Sequence, residues 1–203
     1  LGAGFVQYTA ELEDGGKFGP APSATSRFVY VLEGELTLHL NGELHTLEAD
    51  GYAFLPPEVE HTLASSGTAR VMTIEKVYQP LNMEDDPQPV VGKALEVVST
   101  ALAGNDSVQV QTLLPEHPSF DCAVNRMTFQ PGASLHMVEI HVMEHGLTML
   151  EGGGTYRLGD CWYPVTKGDI IYMAPYCPQW FGALGTAPSS YLIYKDWNRH
   201  PLE

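Results

Sequence analysis

From Glu35 to Leu47 the chain reads "ELTLHLNGELHTL", and its apolar residues alternate with polar ones so that Leu36, Leu38 and Leu40 share one side. Successive side chains on a strand point to opposite faces, so a period of two predicts a half-buried strand. Asn41-Gly42 interrupts the pattern. That dipeptide suits a type I′ turn, which needs positive φ at both central residues, and it predicts a hairpin. "TYRLGDCWYPV", Thr155 to Val165, predicts a second hairpin of the same length around Gly159-Asp160. No convincing long amphipathic helix is visible. "VGKALEVVSTALA", Val91 to Ala103, fits either a helix or a linker that ends in a strand.

The two hairpins belong to a larger repeat. An offset of 118 residues aligns the two halves without gaps over a long stretch. Glu33-Gly34 falls on Glu151-Gly152, Asn41-Gly42 on Gly159-Asp160, Phe54 on Tyr172 and Pro57 on Pro175. The chain is therefore expected to be all-β, with two similar units in tandem. Residues 1–80 form the first barrel. Residues 81–203 hold a linker and the second barrel, the joint being the Pro- and acid-rich "YQPLNMEDDPQP" from Tyr78 to Pro89. Closing the strands into small barrels leaves few exposed edges, and a barrel of that size holds a small ligand in its mouth.

The repeat is unequal in its chemistry. "EIHVMEHG", Glu139 to Gly146, gathers two of the chain's eight histidines and two glutamates. At the same offset Glu139 falls on Ala21, His141 on Ser23 and His145 on Arg27. Side chains needed only to build a barrel belong in both copies, so those confined to the second point to chemistry there. Glu139 and His141 are two apart and share a face on a strand. His145 lies about 13 Å further along a straight strand, so a tight turn through Val142, Met143 and Glu144 has to fold it back opposite its partners. Gln179 completes the candidate set from a later strand. It falls on His61, so a metal-capable side chain stands there in both halves. His61 and Arg27 occupy the counterpart position, where a lone histidine holds no metal. His136 and Glu144 read as solvent-facing or as supports for the ligands.

Composition narrows the field. The 203 residues carry 10 basic and 25 acidic side chains, a net charge of −15, with 44% hydrophobic residues. A field of that sign repels phosphate backbones and anionic headgroups, which argues against nucleic-acid and membrane-surface roles. No apolar run approaches the roughly 20 residues of a membrane span, and no secretion signal is visible. The chain opens on Leu1 rather than Met, which implies a true start further upstream. Cys122, Cys161 and Cys177 lack the paired spacing of a zinc site and read as free structural thiols of a reducing, cytoplasmic setting.

The order of these residues resembles the cupin family. "PGASLHMVEIHVMEHGLTMLEG", Pro131 to Gly152, matches the first cupin motif with Glu139, His141 and His145 at its ligand positions, and "GDIIYMAPYCPQ", Gly168 to Gln179, matches the second with Gln179 in place of its histidine. The resemblance covers nearly the whole chain and implies a bicupin, two tandem jelly-roll barrels, of which only the second holds a metal site. The Glu-x-His-x3-His pattern with Gln179, and the flanking stretches "LGAGFVQYTAEL" and "YLIYKDWNRHPLE", look like those of the (S)-ureidoglycine aminohydrolases. That likeness implies Mn²⁺ on Glu139, His141, His145 and Gln179. It also implies a substrate pocket lined by Tyr156, Tyr191 and Lys195, with Lys195 and Tyr191 catalytic. The activity implied is release of ammonia from (S)-ureidoglycine to give (S)-ureidoglycolate in allantoin and purine breakdown, by a homo-oligomeric enzyme. Two imidazoles, a carboxylate and an amide oxygen are a hard donor set that suits Mn²⁺ or Fe²⁺, with Zn²⁺ as a further alternative. Three competing readings use the same barrels: a bicupin dioxygenase or decarboxylase for a small organic acid, a non-enzymatic binder of a small molecule, and a storage or structural bicupin, which would not need the ligand cluster.

Overall fold

The computed structural model describes residues 2–80 and 85–197. Residues 81–84 of the expected linker and 198–203 of the closing stretch lie outside the described residues. The chain divides into two compact units, Leu1–Glu96 and Val97–Glu203.

The first unit contains β1 (Phe5–Leu12), β2 (Thr25–Glu33), β3 (Glu35–Leu40), β4 (Glu43–Glu48), β5 (Gly51–Leu55), β6 (His61–Ser65), β7 (Ala69–Val77) and β8 (Val90–Lys93). They form a five-stranded sheet in the order β1-β7-β2-β5-β8 and a three-stranded sheet in the order β4-β3-β6. The predicted hairpin is β3–β4, with Leu40 opposite Glu43. Both turn residues have positive φ, 50° at Asn41 and 87° at Gly42, as a type I′ turn requires. Along β3 the leucines are buried and Glu35, Thr37 and His39 are not. Leu36, Leu38 and Leu40 pack with Val29, Val31, Leu47, Leu55, Leu63 and Val71 in an aliphatic core.

The second unit contains β9 (Ser99–Leu102), β10 (Asn105–Thr112), β11 (Cys122–Phe129), β12 (His145–Glu151), β13 (Gly153–Leu158), β14 (Cys161–Thr166), β15 (Ile170–Met173), β16 (Gln179–Ala183) and β17 (Ser189–Asp196). Its sheets run β15-β12-β17-β11-β10-β9 and β14-β13-β16. In the hairpin β13–β14 only Gly159 has positive φ, 56°, the sign pattern of a type II′ turn.

The repeat extends to irregularities. The β2–β7 pairing slips between Val31 and Glu33, and the β12–β17 pairing slips between Met149 and Glu151, at matched positions. The next residues, Gly34 and Gly152, both have positive φ, and a Cβ there would collide with Thr68 and with Ser189 respectively. Each glycine is fixed by a left-handed backbone and a close approach together.

The boundary differs from the expected one at residue 80. Val90–Lys93 pair antiparallel with β5 and belong to the first unit, so the division falls after Glu96. Val91 to Ala103 accordingly form neither a helix nor a plain linker. They hold most of β8, a single 3-10 turn at Ala94–Glu96, and β9. Long-range pairing decides this stretch, which local pattern leaves ambiguous.

Candidate active site

The segment after Pro131 is laid along the free edge of β16. The Leu135 amide donates to the Phe181 carbonyl at 3.0 Å, and Glu139 and Gln179 exchange both backbone hydrogen bonds at 2.8 and 2.9 Å. Glu139 and Gln179 are thus directly opposite one another in an isolated antiparallel bridge. Side chains opposite one another in such a pair emerge on one face. The sequence predicts a strand here, and the structure gives two isolated bridges, Ser134 to Gly182 and Glu139 to Gln179, in an otherwise irregular segment. Alternation begins only at Val138: Val138 and Ile140 are exposed while Glu139 and His141 are half-buried, and Met137 just before them is exposed too. The chain then bends through Val142 and Met143, as the spacing demanded, and His145 opens β12.

His145 stands opposite Lys195 in the β12–β17 register. Its Nδ1 lies 3.1 Å from the Met143 carbonyl, which orients the ring and leaves Nε2 toward the interior. Burial first, and the neighbouring His141 second, push its pKa down to about 3, so at neutral pH it is an uncharged ligand-type imidazole. The His141 and His145 rings stack with centroids 4.9 Å apart. His141 Nε2 lies 3.1 Å from Glu139 Oε2. Two donors on adjacent corners of an octahedron, with bonds of about 2.1 Å, are about 3 Å apart, so this spacing suits two ligands of one ion. The Tyr156 hydroxyl donates to Gln179 Oε1 at 3.3 Å and lies 3.1 Å from Met173 Sδ.

All seven predicted residues line one cavity of about 300 Å³: Glu139, His141, His145, Gln179, Tyr156, Tyr191 and Lys195. It lies inside the second barrel, above a core that includes Phe129, Leu147, Met149 and Phe181. Among the described residues no three His, Cys, Asp or Glu side chains converge on a single ion position by themselves. Glu139, His141 and His145 are thus neighbours in one cavity with Gln179, rather than three side chains already closed on one point. A depression of about 600 Å³ on the first unit, by Glu11, Glu33 and Arg70, holds none of these residues.

The electrostatics separate acids from mere donors. Tyr156 and Tyr191 are both about 1% exposed, and burial raises both phenols well above their ordinary pKa, with the Glu139 carboxylate adding to it. They remain protonated and keep their capacity to donate hydrogen bonds. Lys195 moves the other way. Its burial lowers the ammonium pKa, opposed by Glu116 and Glu139. Its Nζ sits 4.5 Å from the centre of the Trp197 ring, a cation–π contact worth about 0.5–2 kcal/mol.

Two features escape the sequence. Glu144, read as solvent-facing or supporting, is buried and accepts the Tyr172 hydroxyl at 3.0 Å. Burial first, and that hydrogen bond second, push the Tyr172 phenol up to about 12. Asn125 and Trp197 also line the cavity. An asparagine among inward-facing apolar residues of β11 was the available signal for the former. His136 is exposed, as read.

Comparison with known proteins decides the family. A cupin-domain model matches twice, at residues 8–75 and 125–194. The chain is 39% identical over 203 residues to a rice protein (Oryza sativa subsp. japonica) named "Probable (S)-ureidoglycine aminohydrolase", covering all of this chain and 65% of that one. It is 34% identical to the (S)-ureidoglycine aminohydrolase of Escherichia coli K12, over 98% of this chain and 78% of the other. The chain belongs to the cupin family, in the (S)-ureidoglycine aminohydrolase branch. This bicupin spans about two thirds of the length of its rice relative. The crystal structure of a Pseudomonas aeruginosa protein, 31% identical, superposes with a TM-score of 0.91 over 98% of this chain and 78% of that one. The two-barrel reading of the cupin sequence is therefore shown by fold and family alike.

Proposed function

We propose that this bicupin hydrolyses (S)-ureidoglycine to (S)-ureidoglycolate and ammonia, using a Mn²⁺ ion on Glu139, His141, His145 and Gln179. The observation that carries the reading is that those four, together with Tyr156, Tyr191 and Lys195, line one cavity. The names of its relatives supply the substrate. The donor set supports the metal: a neutral imidazole fixed by the Met143 carbonyl, a second imidazole beside a carboxylate, and a buried amide oxygen, with no thiolate. Bound there, the ion supplies Lewis-acid polarisation and fixes the substrate's stereocentre.

The chain's own groups divide the remaining work. In the overall reaction a C–N bond breaks and a C–O bond forms. The departing amine takes a proton, and the incoming water loses one. Of the groups facing the cavity, Tyr156 and Tyr191 are held as weak acids, while Lys195 has its acidity increased by burial. Lys195 is therefore the proton donor to the amine, and its neutral form takes the water's proton in return. Tyr191 donates a hydrogen bond that orients the substrate, while Tyr156 spends its one hydrogen on the Gln179 amide and meets the substrate with its ring and its oxygen lone pair.

The same reading makes the protein a cytoplasmic homo-oligomer. Among the described residues no helix is long and apolar enough to cross a membrane. The deciding experiment is ammonia release from fresh (S)-ureidoglycine by chelator-treated protein, with and without added Mn²⁺. Release restored by Mn²⁺ is expected. No release in either condition, with intact fold and bound Mn²⁺, refutes the assignment.

A further inference from the structure

Asn125 carries no task in the reading above, yet it faces the same cavity. On β11 the residues Asn125, Met127 and Phe129 point inward; the last two belong to the barrel core, and Asn125 is one step nearer the mouth. Its Oδ1 is buried and has no hydrogen-bond partner among the described residues. A buried acceptor left unpaired is costly, and native structures retain one where something else satisfies it.

Its neighbours say what that is. Asn125 stands opposite Ile193, with Met127 opposite Tyr191 and Ala123 opposite Lys195. Tyr191 and Lys195 are thus its two diagonal neighbours across the β11–β17 pair, at about 7–8 Å. The matched first-barrel residue is Tyr8, which stands opposite Thr73 and whose phenol is engaged with Glu75. The position therefore faces the barrel mouth in both halves. Lys195 and Tyr191 offer hydrogens to a ligand and Tyr156 gives its one hydrogen to Gln179, whereas Glu139 and Gln179 are assigned to the proposed ion. A ureido group has more N–H hydrogens than carbonyl oxygens, so a wall of donors leaves its terminal amide hydrogens unmet. Asn125 offers the missing acceptor.

We propose that Asn125 is a specificity residue that accepts a hydrogen bond from the terminal NH₂ of the ureido group. This rests on the (S)-ureidoglycine reading of the site. Ureidoacetate and N-acetylglycine differ in that NH₂ alone, which the second replaces by CH₃. By calorimetry the Mn²⁺-loaded wild-type protein binds ureidoacetate about tenfold more tightly. Asn125→Leu loses that preference while its metal content and circular dichroism stay those of wild type. Asn125→Asp keeps the acceptor and retains the preference, with both acids weakened by the added negative charge. A Leu variant that still prefers ureidoacetate, or an Asp variant that does not, overturns the proposal. Ammonia release from (S)-ureidoglycine is measured on the same samples. Release by a wild-type protein that shows no preference removes the role of Asn125 and leaves the reaction standing. A preference that depends on Asn125 in a protein releasing no ammonia supports the residue and removes the reaction.

Discussion

The two barrels share a backbone plan and differ at their mouths. Where the second pairs His145 with Lys195 across β12 and β17, the first pairs Arg27 with Glu75 across β2 and β7. Arg27 is 4% exposed, and its guanidinium meets the Glu75 carboxylate at 2.6 and 2.7 Å. It also donates to the Gly19 carbonyl at 2.8 Å and lies over the Phe18 ring. Below that ion pair the matched positions are aliphatic: Leu38 for Tyr156, Leu63 for Phe181 and Val71 for Tyr191. His61, the counterpart of Gln179, rests its Nδ1 against its own loop at Val59. One barrel mouth is thus closed by charges that satisfy each other. The other keeps a cavity whose polar groups face inward. The first barrel folds with a self-satisfied ion pair and aliphatic side chains at these positions, which supports the chemical role proposed for the second barrel's cluster.

The sharpest way to break that contrast is to remove the second barrel's facing residues, His145 and Lys195, one at a time. His145→Ala should abolish both Mn²⁺ binding and ammonia release. Lys195→Met should keep the metal and lower kcat by about 10²–10⁴-fold, the usual worth of a positioned acid-base group. Metal content by mass spectrometry beside steady-state rates checks both. A Lys195→Met enzyme with a wild-type rate would remove Lys195 from the mechanism.

The matched change in the first barrel tests the opposite expectation. Arg27→Met leaves Glu75 without its partner in a largely buried site, which costs about 3 kcal/mol of stability, the low end for such pairs because Glu75 is 16% exposed. Urea denaturation measures it. Ammonia release per folded molecule should not change. A loss of turnover without loss of stability would mean that the first barrel's mouth takes part in the reaction.

Much of this contrast is legible in the sequence, for physical reasons. The β3 leucines announce their strand because one face is buried and the other wet. Asn41-Gly42 announces its turn because few other residues accept two positive φ angles. The ligand cluster stands out because its counterpart residues, Ala21, Ser23 and Arg27, cannot bind a metal. What stays hidden depends on partners far along the chain. Glu75 lies 48 residues from Arg27, so the ion pair that closes the first mouth has no local signature. β8 is four residues of intermediate burial, held by pairing with β5, and its pattern does not name its unit. Glu139 sits in an irregular segment, where spacing suggested a strand, because a single bridge to Gln179 suffices to aim it.

The smallest expected effect is also the most discriminating, because it changes one atom. In the first barrel the position of Tyr156 is Leu38, so the fold requires bulk there and no hydroxyl. Tyr156→Phe retains the ring that packs near Phe181, with centroids 5.9 Å apart, and deletes only the donor to Gln179 Oε1. Deleting a neutral hydrogen bond costs about 0.5–1.5 kcal/mol. If the hydroxyl serves packing alone, that cost appears as lower stability at unchanged turnover. If it holds the Gln179 amide toward the ion, stability moves little, Mn²⁺ affinity weakens and kcat/KM falls about tenfold. The second pattern is expected, since the Leu38 barrel shows that a side chain without any polar atom satisfies the fold at this position.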